Sequence, residues 1–530
     1  MFSCFKGLNA FLYQIGLGLV LLAIALNASS DVLHLGNDGE PSTLDPHRYN
    51  LRLEETLLND LFMGLTTFTA AGQIAPGAAE SWTQSEDGKT WTFKLRTDGR
   101  WSDGEPVTAS DFVYSMRRLL TPSTAASLAY FLYMIENAEA INRGELPPEA
   151  LGVTAEDPLT LRIRLAYPYP YLLERLLYPT AFPVPRHVIE RVGKAWTKAE
   201  HWVSNGAYKL AEWRPQAYVE MVANPFFHAP APIKTVRHHA LASEQSGYNR
   251  FRNGELAAIP SFPASELTNM QQDRPKELRL APLLSIMYLV FNTQKPPFHD
   301  PRVRKALGLV IQQQTITQRV LRNGSQPSLS ITPSLIRDYQ PVPLPHADLS
   351  QANRVGKARD LLAQAGYDQD HPLRVTLKHV NSLEGKKINL AIAAMWRQLG
   401  VETTLAQSEL RAHFADLRQG SFEVAWAGWV GENNPEHYLS LLRSDIGNVN
   451  YGRYRNSAFD DRMAAARRQA DATSRGELLR QAEQIMVADY PVVPLYMLAS
   501  RRLVNASLQG WQDNVRNMHQ SRYLFWSDAP

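Results

Sequence analysis

Between residues 355 and 408 helix and strand signals alternate, and nothing else in the chain limits its fold as much. "GKARDLLAQAG" has helical spacing and stops at Gly366. "LRVTLKHV" reads as a strand with Leu373, Val375 and Leu377 on one face. "KKINLAIAAMWRQLG" returns to helical spacing, with Ile388, Ile392, Met395 and Leu399 on one stripe and Gly400 as the stop. "VETTLAQ" is a strand again. Strands separated by helices build an α/β layer with a largely parallel sheet. Such sheets bind ligands at the loops beyond the carboxyl ends of their strands.

The same mixture runs through the rest. "WTFKLR" alternates like a half-buried strand after the turn at Asp87-Gly88. "TASDFVYSMRRLL" opens a helix with Thr108 as N-cap and Asp111 three residues on. "HDPRVRKALGLVI" places Asp300 as N-cap and Pro301 in the first turn. At 530 residues the chain exceeds one ordinary core, so two or three domains are expected. A net charge of +3 lacks the clustered basic excess of a nucleic-acid protein.

The first thirty residues read as an export signal. Lys6 precedes the apolar run "IGLGLVLLAIAL", Ile15 to Leu26, and small residues at Ala28 to Ser30 suit cleavage. The run is short for a membrane span, so an uncleaved anchor is the lesser alternative. Cys4 lies inside this signal and is the only cysteine, so the mature chain has neither disulfide nor thiolate. Export without disulfides suits a bacterial periplasm.

No motif for catalysis stands out: there is no G-x-S-x-G, no H-E-x-x-H and no phosphate loop. His238 and His239 are adjacent, and neighbours on a strand point apart, which disfavours a shared metal. "YPYPYLLERLLYP" reads as a packed aromatic segment fixed by prolines. "AWAGWVGENNP", residues 425–435, is different. It sets one carboxylate, Glu432, after two indoles, with no Lys or Arg close behind. A carboxylate in such surroundings neutralises unless a cation meets it. Glu432 is either a surface turn residue or a carboxylate awaiting a cation that its neighbours in sequence do not supply.

Eight stretches now point to a family: "EPSTLDPHRYN", "NDLFMGL", "PGAAESW", "WTFKLRTDGRWSDGEPVTASDFVYSMRRL", "SNGAYKLAEW", "NTQKPPFHDPRVRKAL", "ARDLLAQAGY" and "GSFEVAWAGW". In this order the chain resembles the periplasmic oligopeptide-binding proteins of ABC importers, solute-binding protein family 5, most of all the general oligopeptide binders of Gram-negative bacteria. The resemblance implies a clamshell of two lobes with mixed sheets and an inserted third domain. Its divisions would fall at 31–62, 187–284 and 500–530 for lobe I, 63–186 for the inserted domain and 285–499 for lobe II. It implies a peptide or peptide-like ligand held between closing lobes, delivery to an inner-membrane ABC permease, a monomer, and no cofactor, metal, nucleic acid or catalysis. At the position of Glu432 the family carries an acid that binds the peptide's α-ammonium. Gly428, Trp429 and Asn50 would lie beside the ligand.

The departures concern the ligand's other end. Basic groups that meet peptide C-termini in the best-known member fall on Leu321, Gly385, Leu417 and Trp426. Two of its aromatic pocket positions fall on Leu128 and Leu410. Two cysteines that some members pair fall on Ser285 and Val430. Arg52 stands where that member is apolar, either as a fork for a carboxylate at the far end or as a solvated surface residue. Longer, modified or cell-wall-derived peptides therefore enter the range. A non-peptide solute such as an opine, sugar or metal chelate, and a secreted hydrolase, remain as alternatives.

Overall fold

The computed structural model describes residues 32–346 and 348–527. The export signal expected at 1–30 lies outside them.

Two large sheets organise the molecule. The first has seven strands in the order Leu278–Pro282, Ala499–Val504, Ala258–Ile259, Val32–Asn37, Thr235–Ala240, Tyr218–Ala223 and Tyr208–Arg214. The second has six: Gln326–Pro327, Val492–Met497, Ser285–Phe291, Val424–Val430, Arg374–Val380 and Glu402–Ser408. A four-stranded antiparallel sheet, from Ala79–Gln84 to Val153–Asp157, comes from the segment between the first and later strands of the seven-stranded sheet. It shares one continuous apolar core with that sheet, while the six-stranded sheet has a core of its own.

The expectation of a largely parallel sheet needs correction. In the six-stranded sheet the pairings are parallel only among Val424–Val430, Arg374–Val380 and Glu402–Ser408, where helices separate successive strands. The other three pairings are antiparallel. The cause is the link between the sheets. The chain leaves the first sheet at Pro282 and enters the second at Ser285; it returns from Met497 to Ala499. One link runs in and the other out, so the strands they join pair antiparallel in both sheets. The links hold each other: Leu283 N–H donates to Leu498 O at 2.8 Å, and Leu498 N–H donates to Ser285 Oγ at 2.9 Å.

Local chemistry explains the elements nearest the site. Helix Leu383–Arg397 starts three residues before the expected "KKINL", because Ser382 Oγ accepts from Gly385 N–H at 3.0 Å. It ends before Leu399, and Gly400 turns the chain at φ 80°, a region glycine enters without steric cost. Helix Ala109–Leu120 opens with Asp111 accepting from both N–H and Oγ of Thr108, at 2.8 and 2.9 Å. In Val424–Val430, Ala425, Ala427 and Trp429 share one face, and Trp426, Gly428 and Val430 the other. A Cβ at Gly428 would press on the flexible Sδ–Cε end of Met287 on the neighbouring strand, which would have to turn aside.

Candidate functional site

Glu432 leaves the strand Val424–Val430 just beyond its carboxyl end, where Gly431 N–H donates to Leu284 O at 2.8 Å in the link between the sheets. The carboxylate is 5 % exposed, so it is no surface turn residue. Its cation comes from a distant part of the chain. Arg175 Nη1 donates to Glu432 Oε1 at 2.6 Å. Burial by itself would lower the Arg175 pKa, but Tyr169 and Glu432 beside it more than reverse that and hold the guanidinium charged. Arg175 is further fixed over the Phe131 ring at 4.7 Å and by Tyr169 Oη, 3.3 Å from Nε. Glu432 Oε2 is buried without a hydrogen-bond partner among the described residues; His437 Nδ1 stands 3.9 Å from it. Burial pushes the His437 pKa down, so near neutral pH this ring is uncharged.

Two further ion pairs stand beside the first. Arg516 Nη1 meets Glu174 Oε2 at 2.7 Å, and Asn433 Nδ2 donates to Glu174 Oε1 at 3.4 Å. Arg52, at the start of helix Arg52–Leu61, lies 3.5 Å from Glu55 and donates to the carbonyl of Arg516. A pocket of about 200 Å³ opens among Arg52, Glu55, Tyr178, Glu432, Arg516 and Asn517, floored by Leu283 and Leu284 of the link. It therefore sits at the hinge between the two sheets, with both signs of charge on its walls.

The residues singled out in the sequence divide. Arg52 and Glu432 line this one pocket, so Arg52, expected at the ligand's far end, stands at the Glu432 end instead. Trp429 is on the opposite strand face from Trp426 and Gly428, its ring edge-on to His437 at 5.6 Å. Trp426 is half-buried, its carbonyl accepting from His413 Nε2 at 2.8 Å. Asn50 is exposed and accepts from Ser127 Oγ, beside the half-buried Leu128. Leu410 is exposed on the first turn of helix Leu410–Gln419. Leu417, on the same helix, is a correction: it is fully buried in the core under the six-stranded sheet and offers a ligand no surface. Helical spacing places 410 and 417 seven residues apart on nearly one stripe, and packing decides which end of it is covered.

Sequence reasoning missed Arg175, Glu174 and Arg516. The first two lie in "YPYPYLLERLLYP", read only as packing. The segment does pack, but it also spans the two halves: Arg467 lies over Tyr167 at 4.9 Å, and Arg475, paired with Glu436, lies over Tyr171 at 5.5 Å. The "ER" dipeptide between leucines was the available signal, since charges in a buried aromatic run require partners.

Two lobes joined by paired crossing strands, with a buried charged pocket at the hinge, define a hinged solute receptor. Residues 73–449 match bacterial extracellular solute-binding proteins, family 5 Middle, and the chain belongs to that family. It is 36% identical over 501 residues, 93% of this chain and 92% of the other, to the periplasmic oligopeptide-binding protein OppA of Salmonella typhimurium. It is 35% identical over 494 residues, 92% and 91% of the two chains, to the periplasmic murein peptide-binding protein MppA of Escherichia coli. Among solved structures it is similar to the unliganded open form of an MppA murein tripeptide binding protein, with a TM-score of 0.86, 34% identity and coverage of 94% and 98%. Against Haemophilus influenzae OppA in complex with RPPGFSPFR the TM-score is 0.74, at 31% identity and coverage of 94% and 99%.

Proposed function

We propose that this protein is a periplasmic receptor of an ABC importer that binds peptides between its lobes and delivers them to an inner-membrane permease. Relatives named for oligopeptide and murein peptide binding, matched over more than nine-tenths of the chain, support the ligand class. The observation that carries the site is the partnerless, buried Oε2 of Glu432 at the hinge pocket. An ammonium is a compact triple donor, and a buried carboxylate oxygen without a donor is where it gains most. The peptide lies extended from there along the cleft, and the lobes close over it about the two links. The separation of lobe II is supported by its own core, and that of the inserted domain by its own four-stranded sheet, which shares the core of lobe I. The receptor works as a monomer, without cofactor, metal, nucleic acid or catalysis of its own.

Calorimetric titration tests the site. Truncating one partner of a desolvated charge pair costs about 2–5 kcal/mol, so Glu432→Ala weakens a free-amine peptide by tens-fold to thousands-fold. Acetylating the peptide amine does similar damage to the parent protein, and the two losses do not add because they delete one contact. If acetylation leaves the parent's affinity unchanged, the pocket does not read an N-terminus.

A further inference from the structure

The charges around the hinge pocket are already matched before any ligand charge is added. Glu432 has Arg175 at 2.6 Å, Glu174 has Arg516 at 2.7 Å, and Glu55 has Arg52 at 3.5 Å. Three carboxylates face three guanidiniums. An ammonium arriving alone at Glu432 Oε2 would share its carboxylate with Arg175 and give the pocket an unbalanced positive charge. Like charges held a few ångströms apart in a poorly hydrated site repel strongly.

The matching is uneven in space. At the Glu432 end one carboxylate oxygen lacks a donor. At the Arg52 end the guanidinium fork is only partly used. Arg52 spends one N–H on the Arg516 carbonyl and has a long contact to Glu55, and its side chain is 47% exposed. A guanidinium carries five N–H donors, so most of its fork is available. Behind it stands Arg502, whose Nε donates to Asn517 Oδ1 at 2.8 Å and which has no ion pair to a carboxylate among the described residues. Asn517 is itself a wall of the pocket. Burial, and then the nearby Arg52, push the Arg502 pKa down to about 10, with Asp38 and Asp513 opposing them. One end of the pocket has a carboxylate oxygen without a donor and the other has guanidinium donors without an acceptor.

We propose that this pocket selects peptides whose first residue carries a carboxylate as well as the α-ammonium, with the ammonium on Glu432 Oε2, the carboxylate on Arg52, and Arg175 as the positioning residue that sets this preference by neutralising half of Glu432. Such a head group has no net charge and is dipolar in the sense of the pocket. The inference rests on the peptide reading above and adds to it the class of peptide.

The test is calorimetry with a matched pair, Glu-Ala-Ala and Gln-Ala-Ala, which differ at the first residue in charge and hardly in shape. The parent protein binds Glu-Ala-Ala about tenfold tighter, as one added close charge pair warrants. In Arg52→Gln the ratio collapses to about one as its partner is lost. In Arg175→Gln it falls toward one, because Glu432 then has a full charge for the ammonium and the head group no longer has to be neutral, and a merely structural role for Arg175 would lower both affinities and keep the ratio. Equal affinities on the parent, or tighter Gln-Ala-Ala, overturn the proposal. Both peptides binding equally would leave the peptide reading standing and remove only this inference. If neither binds the parent while a longer peptide of neutral first residue does, the inference also fails. If no free-amine peptide binds at any length, the nine residues of the relative's ligand included, both readings fall together.

Discussion

Glu432 and Leu417 show how differently two residues fare when read from sequence. Glu432 was legible as a carboxylate in need of a cation, because its neighbours are apolar and indole-bearing. Which cation it meets was not, since Arg175 lies 257 positions away. Leu417 stands at a family position that is basic in the best-known member, and family position carries no information on which side of a helix the core covers. Here its side chain is fully buried beneath the six-stranded sheet. Leu417→Ala leaves a cavity there and lowers stability by about 2–5 kcal/mol. Urea unfolding would show this as a lower midpoint with the slope retained. Peptide affinity measured well below the transition stays that of the parent. A loss of affinity with stability intact would return Leu417 to the binding surface.

At the scale of elements, the helices and strands with a strict period or a recognisable cap were legible. Asp300 N-caps the helix Pro301–Leu309 through Arg302 N–H at 2.8 Å, and Thr108 and Asp111 open theirs as read. Periodicity and caps are local, so local sequence contains them. The direction of strand pairing is not local, and the parallel expectation failed where the two links cross. Ser285 is the residue on which that crossing turns, because its hydroxyl accepts the Leu498 N–H of the opposite link. A backbone donor left unpaired in a buried site costs about 1–3 kcal/mol. Ser285→Ala is therefore expected to lower the unfolding free energy by that amount in urea titration. An unchanged midpoint would mean that the links do not depend on this bond.

For the whole molecule, burial acts on the histidines in one direction. Burial, aided by Arg118, pushes the His47 pKa down to about 3, and burial foremost takes His228, His239 and His346 to about 4. Their unfolded value is near 6.5. The folded chain therefore binds fewer protons than the unfolded chain between pH 6.5 and about 4, and stability is lost as pH falls through that window. For the fully buried His47 the slope approaches about 1.4 kcal/mol per pH unit. Glu483, raised above its ordinary value by burial, works the other way and trims the slope. Thermal melts from pH 7 to 4.5 should show a falling midpoint, shallower in His47→Gln; a flat or rising midpoint would contradict it. Sequence alone determined that this is an α/β receptor of family 5 with an acid awaiting a cation after Trp429, because periodicity, caps and motif order are properties of short stretches. Tertiary structure alone decided that the cation is Arg175, that Arg52 shares the pocket, and that Leu417 does not. Those facts depend on which segments the two crossing links bring together, and electrostatic partners in a buried site are chosen by distance in space, which spacing along the chain does not encode.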